Sequence, residues 1–198
     1  MRILITSFGP FNDFKVNPSN QIMERLKQKI NLTPLPDNLF VFETIDVTWS
    51  GVSKFIQAKQ IEKFDFIFHL GVASNESKIR IETSGQNIQS GKDIDNIRPN
   101  DKQIIKNEPN LNTNFSIEVL NNFVSNNDFI SISNDAGSFL CNYLYYKSLY
   151  FLGKKSSVLF IHTADTQNQP KAPNIECQAE IIYKLIDTLI NKTPYNNV

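Results

Sequence analysis

The chain has 198 residues, with 20 basic and 20 acidic side chains and a formal net charge of zero. This length suits one globular domain with a substantial core, predicted here for residues 1–198. Balanced charge argues against a nucleic-acid-binding protein, which normally carries a basic excess. No apolar run is long enough for a membrane span or a signal-peptide core. Two cysteines are too few for a disulfide framework and favour a reducing, cytoplasmic location.

Strand-like and helix-like patterns alternate along the chain. Strands are predicted at residues 2–6, 39–47, 66–70, 78–88, 129–132 and 158–161. Helices are predicted from an N-cap at Ser19 to Ile30 and at residues 50–63, 116–123, 139–152 and 175–189, with a polar, irregular segment at 90–114. This alternation predicts an α/β fold, a three-layer α/β/α sandwich around a mainly parallel, mixed sheet.

A parallel sheet places its binding sites at the carboxyl ends of its strands, where loops meet helix N-termini. Four segments are predicted to lie at such ends: the loop at 8–17, the loop at Gly71, the turn at 136–141 and the loop at His162. We therefore expect the functional site at this edge of the sheet.

Cys141 follows a Gly-containing turn and lies in the first turn of the predicted helix 139–152. The partial positive charge and unpaired N–H groups of a helix N-terminus favour a thiolate, the nucleophilic form of cysteine. By itself, however, an isolated cysteine in an apolar setting is more often a small buried hydrophobe. The nucleophile becomes the better interpretation only if a base and an orienting acid lie nearby.

His162 follows the apolar run 158–161 directly, and Cys141 opens the helix that precedes this strand. The two side chains are therefore expected to converge, because an imidazole can deprotonate the thiol and then protonate a leaving amine. His69 lies inside an apolar run and is interpreted as a structural histidine, and Cys177 as a structural or incidental thiol. The two histidines and two cysteines of the chain lack the close paired spacing of structural zinc sites, so no metal is predicted.

A third group, a carboxylate or an amide, should orient the imidazole. Glu82 follows the loop after strand 66–70, and by residue chemistry alone Glu76, Asp135 and Asp165 are equal candidates. Asp165 is also interpreted as a helix cap. The residues by themselves leave this choice open.

Two segments near the candidate nucleophile and base resemble motifs of the pyroglutamyl peptidase I family, the pyrrolidone-carboxylate peptidases. Residues 133–142, with the sequence SNDAGSFLCN, resemble the motif S-N-x-A-G-x-[FY]-[VL]-C-N. Residues 160–162, FIH, resemble the motif F-[IV]-H.

Two earlier segments complete the resemblance. SFGPF at 7–11 with NPS at 17–19 is similar to the family's opening, G-F-x-P-F…N-P-[ST]. FHLGVA at 68–73, with Glu82 and Asn87 downstream, looks like H-x-G-x-A…E-R-x-A-x-N. The four matches occur in the family's order along the chain, and the chain length agrees.

The resemblance implies a phosphorylase/hydrolase-like fold and a cysteine exopeptidase that removes N-terminal pyroglutamate from peptides through a thioester acyl-enzyme. It implies no metal or organic cofactor, and a homotetramer or homodimer. Cys141 would be the nucleophile, His162 the base and Glu82 the orienting acid. The residues that match the family's pyroglutamyl pocket are Phe8, Phe11, Asn17, Gly71, Phe139 and Leu140.

The chain departs from the family pattern at several positions. Residues 74–76 are Ser-Asn-Glu instead of Gly-Gly-Arg, residues 12–13 are Asn-Asp instead of Gly-Gly, and Thr83 replaces an Arg. Lys92 stands where an Arg near the active site is expected, with Arg98 as an alternative match. Lys92 is thus a candidate for oxyanion or loop support, although a Lys lacks the planar guanidinium. These departures motivate two alternatives: a diverged homologue with weak or no activity, and a Cys/His amidase for another small amide.

Overall fold

The structure, a computed structural model, describes residues 1–11, 16–32 and 38–192. The Asn12–Asp13 departure lies outside this part of the chain. The strands are β1 (Arg2–Phe8), β2 (Leu39–Ile45), β3 (Phe66–Val72), β4 (Ile79–Glu82), β5 (Ser84–Gly85), β6 (Leu111–Asn112), β7 (Ile130–Ser133) and β8 (Ser157–Thr163). The helices are α1 (Pro18–Leu32), α2 (Trp49–Lys59), α3 (Ile117–Val124), α4 (Leu140–Phe151) and α5 (Ile175–Lys192).

The main sheet has six strands in the order β2-β1-β3-β8-β4-β7. The first four are parallel to one another, whereas β4 is antiparallel to β8 and parallel to β7. The predicted mainly parallel, mixed sheet is therefore confirmed. Within the described ranges, no helix combines the length and the apolar composition that a membrane span requires.

The two faces of the sheet are covered by different helices. Ile3 and Ile5 of β1 belong to a core shared with α1, α3 and α5. Leu4 and Phe8 of the same strand belong to a second core shared with α2 and α4. Successive side chains of a strand point to opposite faces, so one apolar run serves both cores. This arrangement is the predicted three-layer α/β/α sandwich.

Several predicted boundaries differ from the observed ones: the helix predicted at 50–63 ends at Lys59, the strand predicted at 39–47 ends at Ile45, and two further differences adjoin the site. Ser19 lies inside α1; the cap is Asn17, whose carbonyl accepts a hydrogen bond from the Gln21 N–H and whose Oδ1 accepts one from the Ser19 N–H at 3.0 Å. The strand predicted for 78–88 ends at Glu82. The next strand, β5, pairs instead with β6 in a separate two-stranded sheet. β6 therefore forms a short strand inside the segment 90–114, which was predicted to be irregular.

The site lies at the carboxyl ends of β1, β3 and β8, which are neighbours in the sheet. The loop predicted at 8–17 follows β1, whereas Gly71 and His162, predicted to lie in loops, are the second-last residues of β3 and β8. The fourth, the turn at 136–141, follows β7, which runs in the opposite direction to β8. This turn reaches the site because α4 packs across the same face and begins at Leu140.

Candidate active site

Cys141 lies in the first turn of α4, as predicted. The N-cap residue of this helix is Phe139, and its side chain makes no capping hydrogen bond. Helix N-termini leave their first N–H groups without intrahelical partners. The thiol is half-buried and not in a disulfide. Backbone donors and the positive end of a helix thus surround a sulfur that remains accessible.

Gly71 is the residue over which the Cys141 sulfur lies. A Cβ atom at Gly71 would be 2.9 Å from Cys141 Sγ and 2.8 Å from Cζ of Phe160. Gly71 also pairs with His162 in the parallel register of β3 and β8. Glycine is therefore the residue that lets the sulfur approach the sheet beside His162.

Glu82 and His162 form a buried hydrogen-bonded pair. The distance from His162 Nδ1 to Glu82 Oε1 is 2.7 Å, and Glu82 is fully buried. With Nδ1 held by the carboxylate, Nε2 is the ring nitrogen that remains for Cys141. The antiparallel pairing of β4 with β8 creates this contact, because it places Glu82 opposite Phe160, two residues from His162 and on the same face.

The charge state of His162 is set by these two neighbours. Burial alone would lower the pKa of the imidazole. Hydrogen bonds and charge interactions with Cys141 and Glu82 outweigh this effect and raise the pKa of His162 from 6.5 to about 9. At neutral pH the site therefore favours an imidazolium next to the sulfur.

His69 is a structural histidine, as predicted. Its Nδ1 lies 2.7 Å from Thr6 Oγ1 and its Nε2 lies 2.8 Å from Ser148 Oγ. Burial lowers the pKa of this imidazole to about 3, so the ring is neutral.

A pocket of about 360 Å³ opens next to Cys141 and His162. Its apolar walls are formed by Phe8, Phe11, Val47, Val72, Phe139 and Leu140. Charged side chains lie in the lining as well, from Glu76, Arg80 and Asp135. The pocket thus combines an apolar compartment with a charged region beside Cys141 and His162.

The structure brings most of the predicted pocket residues to this cavity. Phe8, Phe11, Asn17, Phe139 and Leu140 line it, whereas Gly71 acts beneath the sulfur. Asn17 also braces the loop after β1, because its Nδ2 donates a hydrogen bond to the Gly9 carbonyl at 3.0 Å.

Phe139 is held from behind by residues that the sequence did not single out. The Trp49 ring meets it edge to face, with ring centroids 5.5 Å apart. Gly91, with φ of +101°, brings its backbone so close that an added Cβ would lie 2.9 Å from Phe139 Cδ2. The segment after β5 therefore supports one wall of the pocket.

Lys92 does not line the pocket. Its side chain is exposed, as is that of the alternative match, Arg98. The guanidinium in the lining belongs to Arg80, which sequence reasoning missed. One signal could have found it: Arg80 precedes Glu82 by two residues on a strand and so shares its face.

The other candidate acids have different partners. Asp165 accepts hydrogen bonds from the N–H groups of Asn75, Gln167 and Asn168, which closes the turn after β8. Asp135 Oδ1 accepts one from the Gly137 N–H at 2.9 Å. Glu76 pairs with Arg80. Of the four candidates, Glu82 is the one that contacts His162.

Comparisons with known proteins show the family to which this chain belongs. The family model for pyroglutamyl peptidases matches residues 1–170. A pyrrolidone-carboxylate peptidase of Fusobacterium nucleatum is 31% identical over an alignment of 172 positions that covers 81% of this chain and 77% of that protein. One from a Thermoanaerobacter species is 29% identical over an alignment of 201 positions that covers 96% of each chain.

Solved structures show the same fold. A mutant pyrrolidone carboxyl peptidase from the hyperthermophile Pyrococcus furiosus superposes with a TM-score of 0.83 at 22% identity, covering 98% of this chain and all of that one. The Thermus thermophilus structure gives a TM-score of 0.81 at 23% identity, covering 94% and 100%. Because the family model extends over most of its length, this chain belongs to the pyroglutamyl peptidase family, whose hydrolases remove pyroglutamate from peptide N-termini.

Proposed function

We propose that the chain removes N-terminal pyroglutamate with Cys141 as nucleophile, His162 as acid and base, and Glu82 as the group that orients the imidazole. The observation that carries the proposal is the continuous set of contacts from the buried Glu82 through His162 to the sulfur of Cys141 beside an apolar pocket. Neither alternative from the sequence departures is favoured, because the triad and the pocket are both intact.

The first step is attack of the Cys141 thiolate on the carbonyl carbon that links pyroglutamate to the next residue. The oxygen becomes negatively charged in the tetrahedral intermediate, and N–H groups of the first turn of α4 are in place to stabilise it. His162 then donates its Nε2 proton to the leaving amine, the C–N bond breaks, and a thioester remains.

The second step returns the enzyme to its starting state. Neutral His162 removes a proton from a water molecule, which attacks the thioester carbonyl and releases pyroglutamate. The proton on the imidazole and the thiolate of Cys141 are then restored. Through both steps Glu82 holds Nδ1, which keeps Nε2 directed at the reacting atoms.

The pocket suits a flat, neutral lactam. Phe8, Phe11 and Phe139 offer aromatic walls for the two apolar faces of the ring. The lactam N–H and C=O need polar or backbone partners in the same pocket. Open-chain residues such as glutamine bring a charged amino group, which the aromatic walls formed by Phe8, Phe11 and Phe139 do not compensate, so we expect the pocket to reject them.

The direct test uses three chromogenic amides under reducing conditions: pyroglutamyl, prolyl and glutaminyl. We expect rapid release from the pyroglutamyl amide and at least about a 100-fold lower kcat/KM for the other two. A prolyl or glutaminyl amide cleaved as fast as the pyroglutamyl amide contradicts the proposed specificity, and no release from any of the three contradicts the proposed activity.

The raised pKa of His162 predicts a decline of kcat above about pH 9. Below that pH the imidazolium can donate a proton to the leaving amine; above it the proton is lost. The pKa of His162 is about 9 in the folded protein, against 6.5 for an ordinary histidine. The charged imidazole therefore stabilises the fold fully below pH 6.5, and this contribution is lost as the pH rises to about 9.

A pH–rate profile of kcat, with thermal unfolding at each pH, measures both effects. The His162→Gln variant is the control, since its unfolding temperature should lack this part of the decline. A rate that stays constant to about pH 10 in a folded enzyme, well above the pKa of the imidazolium, contradicts the role assigned to it.

The two unpaired thiols support a reducing location, which we propose is the cytoplasm.

The proposed substrates are peptides whose N-terminus has cyclised to pyroglutamate. The buried lactam leaves the rest of the peptide outside the apolar compartment, so peptides of varied sequence fit.

A further inference from the structure

Arg80 lies on β4 directly opposite His162 in the antiparallel register. Its guanidinium is held on several sides at once. Nε donates a hydrogen bond to Glu82 Oε1 at 3.1 Å, and Nη2 lies 3.0 Å from the same oxygen. Nη1 donates to Glu76 Oε1 at 3.2 Å and Nη2 donates to Ser133 Oγ at 3.0 Å. Such a network fixes the guanidinium in one orientation.

The two oxygens of Glu82 have very different surroundings. Oε1 accepts hydrogen bonds from both Arg80 and His162. Oε2 is buried and has no hydrogen-bond partner among the residues that the structure describes. The orientation of the carboxylate therefore depends entirely on the partners of Oε1.

A carboxylate held only by His162 could not orient His162. If Arg80 were absent, the hydrogen bond to His162 would be the one bond among the described residues that opposes rotation of the Glu82 carboxylate. It would also be a buried charge without a permanently charged partner, which is costly. The contact with Arg80 removes both problems.

We propose that Arg80 is a positioning residue of the reaction: it anchors Glu82 Oε1, and through Glu82 it keeps the His162 imidazole directed at Cys141. The inference rests on the proposed function. Arg80 is not assigned a contact with the substrate's reacting atoms; its effect on the rate passes through Glu82.

The planar guanidinium is essential to this role. Arg80 presents separate N–H groups to Glu82, Glu76 and Ser133, and Nη2 also donates to the Asp135 carbonyl. A lysine ammonium keeps the charge but cannot present this fixed set of donors. Glu76 stands where the family pattern has an Arg, so the Glu76–Arg80 pair is a feature of this chain.

A double-mutant cycle separates action through Glu82 from a general structural effect. We expect Arg80→Gln to lower kcat by about 10- to 100-fold, with KM changed by less than about threefold. In a Glu82→Gln background the same substitution should lower kcat by less than about threefold, because coupled residues are not additive. Arg80→Lys should recover only part of the loss. Equal losses in both backgrounds overturn the proposal.

Arg25→Gln is the matched control. It also removes an Arg from an ion pair, with Glu176, but this pair is exposed. We expect its kcat to equal that of the unaltered enzyme. A loss as large as that of Arg80→Gln overturns the specific role.

Histidine NMR provides a readout that does not depend on turnover. The chain has only two histidines, and the buried His69 serves as an internal reference. We expect a hydrogen-bonded Nδ1 proton for His162 that exchanges with water faster in Arg80→Gln, while the His69 signals stay unchanged. An unchanged His162 proton overturns the proposal. If no pyroglutamyl amide is cleaved at all, the proposed function fails, and the NMR result still decides whether Arg80 holds the pair.

Discussion

Replacing Cys141 by Ala is expected to abolish hydrolysis of a pyroglutamyl amide, with a loss in kcat on the order of 10⁴-fold or more. Cys141 is the one thiol among the described residues that line the pocket, so none of the others can form the proposed thioester. The half-buried side chain is small, so the variant should fold, and circular dichroism with thermal unfolding checks this. Treatment of the unaltered enzyme with an alkylating reagent should cause the same loss.

Cys177→Ala provides the control for both experiments. Cys177 lies on α5, partly buried against the core on the far side of the sheet from Cys141. We expect this variant to retain its activity and to remain sensitive to alkylation. Full turnover by Cys141→Ala, or protection from alkylation in Cys177→Ala, contradicts the assignment of the nucleophile.

Gly71→Ala is expected to lower kcat by about 100-fold, because displacing a reacting group by roughly 1 Å has effects of this size. The new Cβ would lie 2.9 Å from Cys141 Sγ and 2.8 Å from Phe160 Cζ, so at least one of them must move. Phe160 is fully buried and its ring centroid lies 4.8 Å from that of His162, so its movement would disturb His162 as well.

The same substitution should also reduce the free energy of unfolding by about 1–3 kcal/mol, the usual cost of overpacking. Gly9→Ala is the matched control. Its Cβ would make only ordinary contacts at 3.7 Å with Ile45 and Thr44, and we expect kcat within about twofold of the unaltered enzyme. Steady-state kinetics and denaturant unfolding of both variants provide the comparison. A normal kcat in Gly71→Ala would contradict the inference that the Cys141 sulfur lies over Gly71 during catalysis.

Local patterns predicted much of the fold and several site residues. Hydrophobic runs and helix periodicity depend on near neighbours in the chain, so the alternation of strands and helices is visible in the order of residue types alone. The positions of Cys141 at a helix start and of His69 inside an apolar strand were predicted from the same local patterns. The boundaries were less accurate, since Asn17 caps α1 and β4 ends at Glu82.

Long-range pairing could not be predicted in this way. Glu82 could not be separated from Glu76, Asp135 and Asp165 by residue chemistry, because the choice depends on which strand lies beside β8. The antiparallel orientation of β4 decides it. Lys92 illustrates the converse: the motif match placed it near the active site, whereas its side chain is exposed and the cation of the pocket lining is Arg80.

The sequence by itself determined the α/β class, the helix-start cysteine, the strand-end histidine and, through its motifs, the family. These depend on spacing along the chain and on residue type. Residue types and spacing left open which acid meets His162, and the motif resemblance alone implied Glu82; the tertiary structure shows this contact, and only it shows why residue 71 is glycine and which cation holds Glu82. Each of these features depends on contacts between residues that are far apart in the chain. Strand direction and packing across one face of the sheet bring these residues together.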